Sequence, residues 1–398
     1  MSRLNRRTFP TLAGVALLAG LAAAQPALAQ IKLITLPPRE RVEIQLDHLN
    51  ATLVEEERIV PLAQGVNDVV FAWTNTYIDR DSIVFRVLTD PDRINVLSVE
   101  SPPGQNALIW QVAAPEAGSA RIRVSYLIGQ LDKSYTYRAT AAPDEKTLTL
   151  WQYIRLHNNA NEEFGVSGMW PGFGEHLERP IGINETKQLL TQRFDGVAIR
   201  KQYTADLVAN GYLDAGKQQV RIPMHYVIQN DAGHGLGDFP LKFGKARIFQ
   251  DDGRGTVAFL GEDWLPFTPR DDEAKLYLGV AKDIVVKRTI ERREQQRVRG
   301  QLYSYDIVIK YEIENFKDGP VTLDIVERPS AIRAEIRGDT GRAVQWELGG
   351  NDTLDEAFVG EESEADRLVF RVDLPPRGED QKAAKIVHTL HIVIRNEW

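Results

Sequence analysis

Apolar and polar residues alternate with period two along most of the chain, in short runs separated by turn residues. Val42, Ile44 and Leu46 alternate with Glu43, Gln45 and Asp47, and Val69-Phe71-Trp73, Ile83-Phe85-Val87 and Ile122-Val124-Tyr126 repeat the pattern. Such runs are half-buried strands with one face toward a core. The cleanest is Tyr303, Tyr305, Ile307, Ile309, Tyr311 and Ile313, whose opposite face carries Ser304, Asp306, Lys310, Glu312 and Glu314. Val220 to Ile228, Val321-Leu323-Ile325, Ile332-Ala334-Ile336, Leu368-Phe370-Val372 and Leu390-Ile392-Ile394 extend the series. The spacing predicts an all-β chain of multi-domain antiparallel β-sandwiches, with a small N-terminal module and a larger C-terminal region. Only residues 186–194 carry a weak helical signal.

Four segments give the organisation: a leader at 1–29, an N-terminal β-sandwich module at 30–114, a middle β-sandwich unit at 119–217 and a C-terminal β-sandwich unit at 218–398. The stretch 113–118 reads as a linker. In the middle unit Leu148, Leu150, Ile154 and Leu156 line one face of a long strand, and Trp151, Tyr153, Arg155 and His157 line the other. Residues 164–184 follow no period; Gly165, Gly168, Gly172, Gly174 and Gly182 interleave with Trp170 and Phe173, which reads as a long aromatic-glycine loop. Residues 240–288 read as an antiparallel meander. Its alternation slips at Gly244, as at a bulge, and a reversal sits at Asp252-Gly253. Asn158, Asn230 and Asn315 each end a strand, a position where asparagine tolerates the left-handed conformation of a reversal.

Composition adds a compartment. Arg3, Arg6 and Arg7 precede an Ala/Leu/Gly-rich run and the small-x-small site Ala27-Leu28-Ala29, the layout of a secretory signal peptide. Asn5-Arg6-Arg7-Thr8-Phe9 also has the form of a twin-arginine signal, so either export route leads to a periplasmic or extracellular protein. The chain has 398 residues and no cysteine, so disulfides and thiolate metal sites are excluded and stability rests on burial. The formal charge of −8 grows more negative once the three leader arginines are removed, which argues against nucleic acid and anionic lipid as partners. No run in the expected mature chain approaches the roughly 20 apolar residues of a transmembrane helix.

Several motifs together carry a family resemblance. They are FPLKFGKARIFQ at 239–250, FLGED at 259–263, Thr268-Pro269, Leu278-Gly279, DIVVKR at 283–288 and YEIENFKD at 311–318. VSYLI at 124–128 and LWQYIRLHNN at 150–159 fit the start of the same domain, and GVNDVVF at 65–71 with IDRDSI at 78–83 fits a smaller β module before it. On these residues the chain resembles an exported bacterial family of unknown function that includes mucoidy-inhibitor-type proteins. The coiled coil that many members insert between the two modules is missing between Val112 and Arg121. The resemblance implies an all-β exported protein and brings no reaction, cofactor or catalytic residue.

The residues themselves offer little catalysis. Gly165-Val-Ser-Gly168 lacks nucleophile-elbow spacing. His388 and His391, three apart on a strand, face opposite sides and cannot share an ion. His176, beside Glu175, with His157 and His225 is the one histidine set that could converge, and the acidic turns at 251–252, 262–263 and 271–273 are the places where hard-oxygen calcium ligands would gather. No catalytic residue, metal ligand or cofactor is assigned. The candidate ligand-binding residues are Trp151, Tyr153, Trp170, Phe173, Glu175 and His176, because flat aromatic faces stack on sugar rings. The expected role is a non-enzymatic exported protein binding an envelope protein or glycan, and the alternative is a hydrolase of envelope polysaccharide that uses loop carboxylates such as Glu175.

Overall fold

The computed structural model describes residues 32–48, 51–172, 175–338, 341–350 and 353–397; the sequence read as a leader lies outside them. Strands account for 61% and helices for 8%, so the protein is all-β. Contacts divide it into two compact units. One holds the described residues through Arg41 with Glu55–Asn75 and Arg80–Tyr126, and the other holds Val42–Val54, Thr76–Asp79 and the chain from Leu127 onward.

In the first unit, Lys32–Thr35 runs parallel to Gly65–Ala72, which pairs antiparallel with Ala107–Ala114; Asn95–Glu100 forms the far edge. Val84–Val87 pairs with Gly118–Ile128 in a second layer. Aromatic side chains join the layers: ring centroids of Phe71 and Tyr126 lie 5.8 Å apart, and Trp110 stacks on Phe85 at 4.6 Å. Residues 115–117, read from sequence as part of a linker, form the turn that carries the chain from one layer of this unit to the other.

The second unit is built on a curled sheet. Its strand order is Val257–Leu265, Gly244–Asp251, Leu131–Ala141, Thr147–Asn158, Thr186–Asp206, Pro223–Gln229 and Glu273–Val280. The two edges approach closely enough for the Tyr277 backbone N–H to donate to Asp263 Oδ2 at 2.7 Å, so the sheet is an incompletely closed barrel. Tyr137, Ala139, Leu150, Ile154, Ile228, Ile248 and Leu276 are buried in it. Gly244 is required by close approach: a Cβ there would stand 2.4 Å from the carbonyl oxygen of Tyr135, its partner in a parallel pairing. The slip expected at Gly244 lies instead between Ile248 and Phe249. Just before Gly244 the two-residue spacing fails, Leu241 being 2% and Phe243 57% exposed, because the regular strand begins only there.

Three further expectations change. The meander reduces to one hairpin, Gly244–Asp251 with Val257–Leu265; Glu273–Val280 joins the barrel beside Pro223–Gln229, and Ile284–Arg299 opens another sheet. Residues 186–194 are not helical but begin the 21-residue strand Thr186–Asp206. Its pairing with Thr147–Asn158 shifts register twice, and each shift breaks period two in a way that imitates helical spacing. Ile332, Ala334 and Ile336 lie on the helix Pro329–Arg337, which buries Pro329, Ile332, Arg333 and Ile336 on one face. Proline at its first position and Gly338 just past its end were the legible signs.

The last sheet has the order Tyr212–Asp214, Gln219–Val220, Ile284–Arg299, Leu302–Asn315, Ala384–Glu397, Gln345–Leu348. It shares a core with the pair Val321–Glu327 and Leu368–Leu374, in which Ile307, Ile309, Leu323, Ile325, Phe370 and Ile392 are fully buried. Within it Arg288 forks onto Glu327 at 2.6 and 3.2 Å, and the Tyr311 hydroxyl donates to Glu327 at 2.6 Å. A bidentate guanidinium plus a phenol satisfies a carboxylate that burial would otherwise penalise.

The recurrent asparagines work differently from the expectation. Asn158, Asn230 and Asn315 are buried and none has positive φ. Each uses its carboxamide to tie loops together. Asn230 Nδ2 donates to the carbonyls of Phe239, Thr268 and Pro269 at 3.0, 3.2 and 2.9 Å, and its Oδ1 accepts the Gly237 N–H at 3.1 Å. Asn315 likewise bonds Gly319, Pro375 and Lys317, and Asn158 bonds Glu162, Gly182 and Ala160. Replacing Asn230 by Ala strands several buried backbone groups at once, and urea unfolding will show a loss of about 2–4 kcal/mol. A loss under about 0.5 kcal/mol, the size of a neutral surface change, would contradict this role.

Candidate functional site

Strand Thr147–Asn158 is paired along both edges, and its residues alternate strictly between the barrel interior and the outer face. Leu148, Leu150, Ile154 and Leu156 are buried, and Trp151, Tyr153 and His157 are half-buried on the opposite face beside exposed Arg155, as the alternation predicts. The neighbouring strands then place cations around the indole. Arg138 and Arg193 are the register partners of Trp151 on either side, and their guanidinium carbons lie 5.4 and 5.6 Å from its ring centroid. Arg138 also sits 5.1 Å from the ring of Phe249, which meets Phe259 at 5.5 Å.

A cavity of about 380 Å³ opens on this face between Arg138, Tyr153, Gln188, Lys245, Arg247 and Phe249. Next to it Lys245 also lies 5.9 Å above the indole of Trp264, on which Phe243 stacks with centroids 5.2 Å apart and planes 3° from parallel. Glu262 accepts from Lys245 at 2.5 Å and lies 3.6 Å from Arg247; the Lys245 hydrogen bond holds its carboxyl below the usual range, so it is ionised at neutral pH. Arg193 is paired with Asp195 at 2.9 Å. Of these cations Arg138 is the one that, among the described residues, lies over aromatic rings without pairing with a carboxylate. Sequence reasoning found Trp151 and Tyr153 but missed Arg138, Lys245, Arg247 and Phe249. Their exposed parity is visible in their own strands, whereas the parallel pairing of Gly244–Asp251 with Leu131–Ala141 that assembles them has no local signal.

Trp170 and His176 belong to a second cluster. The expected aromatic-glycine loop is a hairpin of Val166–Gly172 and Glu175–Pro180, with Val166–Gly172 also running parallel to Arg41–Gln45. Trp170 Nε1 donates to Glu43 Oε2 at 2.6 Å, and His176 Nε2 lies 3.2 Å from the same oxygen. The two rings meet at 4.5 Å. Gly168 makes the room: a Cβ there would fall 2.2 Å from Glu43 Oε2 and 2.3 Å from His176 Nε2. Gly168, read from sequence as part of a loop, is therefore a close-approach residue in a strand. This hairpin is distinct from the strand that carries Trp151 and Tyr153. Phe173 and the side chain of Glu175 fall outside the described residues.

The other candidate constellations do not assemble. His157 bonds Thr186 at 2.7 Å, the His225 ring lies 5.5 Å from that of Tyr277, and His176 is on Glu43. Burial holds the His225 imidazole below its ordinary pKa. The acidic turns serve the backbone instead. Asp252 accepts from the N–H groups of Arg254 and Thr256 and from the Thr256 hydroxyl, and Asp272 accepts from Glu273 N–H. No group of three or more potential metal-ligating side chains gathers among the described residues.

One unusual amine lies beside these elements. Lys133 Nζ donates to the Ala51 carbonyl at 2.9 Å, near Asp47 and Lys242, and burial lowers its pKa to about 8 against the opposing pull of Asp47. Since this is below the ordinary value near 10.4, the folded chain binds fewer protons than the unfolded chain between the two values. The contribution of Lys133 to stability therefore improves as pH rises through that window. Amine acylation followed by peptide mapping will give a midpoint near pH 8 for Lys133, with exposed lysines near 10.4; coincident midpoints would contradict its burial. No family model matches this chain, and no curated protein matches it with significance.

Proposed function

We propose that the chain is an exported, non-enzymatic protein that binds an envelope glycan on the outer face of its barrel sheet. The observation that carries this reading is the aromatic and cationic cavity beside Trp151 and Tyr153, where half-exposed rings on paired strands present apolar faces next to hydrogen-bond donors. The proposal keeps the compartment implied by the leader and by the resemblance to the exported family.

Hydrolysis is the weaker reading for a chemical reason. Cleavage of a glycosidic bond needs two carboxyls about 5–10 Å apart across a cleft. Every lining residue of this cavity is described, and none carries a carboxyl group. Glu262 at its margin is engaged by Lys245 and held ionised, which suits structure better than proton donation.

Two measurements test the proposal. Cell fractionation with N-terminal sequencing will find the protein outside the cytoplasm, beginning at Gln30; an intact leader on a cytoplasmic protein would refute export. Affinity electrophoresis in isolated envelope polysaccharide will show retardation of the mature protein, weakened by about tenfold or more in Trp151→Ala. It will be little changed in Trp170→Ala, whose indole N–H is already committed to Glu43. Release of new reducing ends from that polysaccharide would favour the hydrolase instead.

A further inference from the structure

The chemistry of the cavity narrows the ligand. The protein is acidic overall, with a formal charge of −8, yet Arg138, Lys245 and Arg247 converge on one cavity of about 380 Å³. That concentration is local and set by strand register: Arg138 and Arg247 are direct partners in the parallel pairing, and Lys245 lies on the same face two residues before Arg247. Glu262 partly neutralises Lys245 and Arg247. Arg138 contacts the rings of Trp151 and Phe249. Among the described residues Arg138 forms no ion pair with a carboxylate, and a guanidinium so placed has N–H donors that can receive a ligand carboxylate in a bidentate fork. Tyr153 and Phe249, across the cavity, offer ring surface for the C–H face of a sugar.

We propose that this cavity binds a carboxylated sugar of an acidic polysaccharide, with its carboxylate on Arg138 and its ring against Tyr153 and Phe249. The inference rests on the glycan-binding reading above and specifies its ligand class. Lys245 and Arg247 supply the surrounding positive potential that draws the polyanion in. The interaction therefore weakens as salt rises. A neutral glycan would leave Arg138 without a counter-charge and the Lys245–Arg247 pair balanced by Glu262 alone.

The test uses the full mature chain and four probes: polygalacturonate, its methyl ester, dextran sulfate and neutral dextran, each titrated calorimetrically. The expected result is binding of polygalacturonate, at least about tenfold weaker binding of the methyl ester, and little binding of either dextran. Arg138→Gln will lower affinity for polygalacturonate to that of the ester, and Arg138→Lys, which keeps the charge but loses the fork, will fall between. The comparison of acid and ester on the wild-type protein stands even if a variant fails to fold. Equal binding of acid and ester would overturn the carboxylate assignment while leaving glycan binding intact. Dextran sulfate binding as well as polygalacturonate would reduce the site to nonspecific polyanion attraction and overturn it too. Binding of none of these, together with none to envelope polysaccharide, would remove the glycan-binding reading itself.

Discussion

The two-sided alternation of strand Thr147–Asn158 is the constraint on which the second unit depends. With ladders along both edges, this strand cannot slide or rotate, so each residue is assigned to the interior or to the outer surface. One face supplies Leu148, Leu150, Ile154 and Leu156 to the core, and the other presents Trp151 and Tyr153. A one-residue slip would put the indole inside and the leucines in water. The same register sets Arg138 and Arg193 against Trp151, so the candidate site follows directly from the core.

Polar groups buried in this unit fix what the hydrophobic core leaves open. Apolar contact is non-directional and does not determine where a loop returns. The carboxamides of Asn158, Asn230 and Asn315 do so, each tying its own strand end to backbone in neighbouring turns. Arg288, Glu327 and Tyr311 do the same between strands. In a chain without cysteine no disulfide can do this, and the directional contacts carry it alone.

The all-β class was legible because period two is a local property, and Tyr303 to Ile313 or Leu148 to Leu156 show it without reference to partners. The hairpin at Asp252-Gly253 was legible for the same reason. Errors arose where spacing is ambiguous or where a glycine answers to a distant neighbour. Register shifts made Leu189, Leu190 and Phe194 resemble a helix, and Ile332 and Ile336 fit either element until Pro329 and Gly338 are weighed. Gly168 and Gly244 looked like loop and bulge residues. They are small because Glu43, His176 and the Tyr135 carbonyl need the space, and sequence-distant groups such as these leave no local trace. Half of the site shares that character: Trp151 and Tyr153 could be read from one strand, whereas the cations around them come from three others.

The claim that the outer barrel face is the working surface is tested most directly by carbene footprinting of the mature protein with and without envelope polysaccharide. Protection concentrated on Tyr153, Phe249 and Trp151, with Trp170 and His176 unchanged, is the result this account predicts. Protection confined to the Val166–Gly172 hairpin, or to strands of the last sheet, would place the surface elsewhere and contradict it.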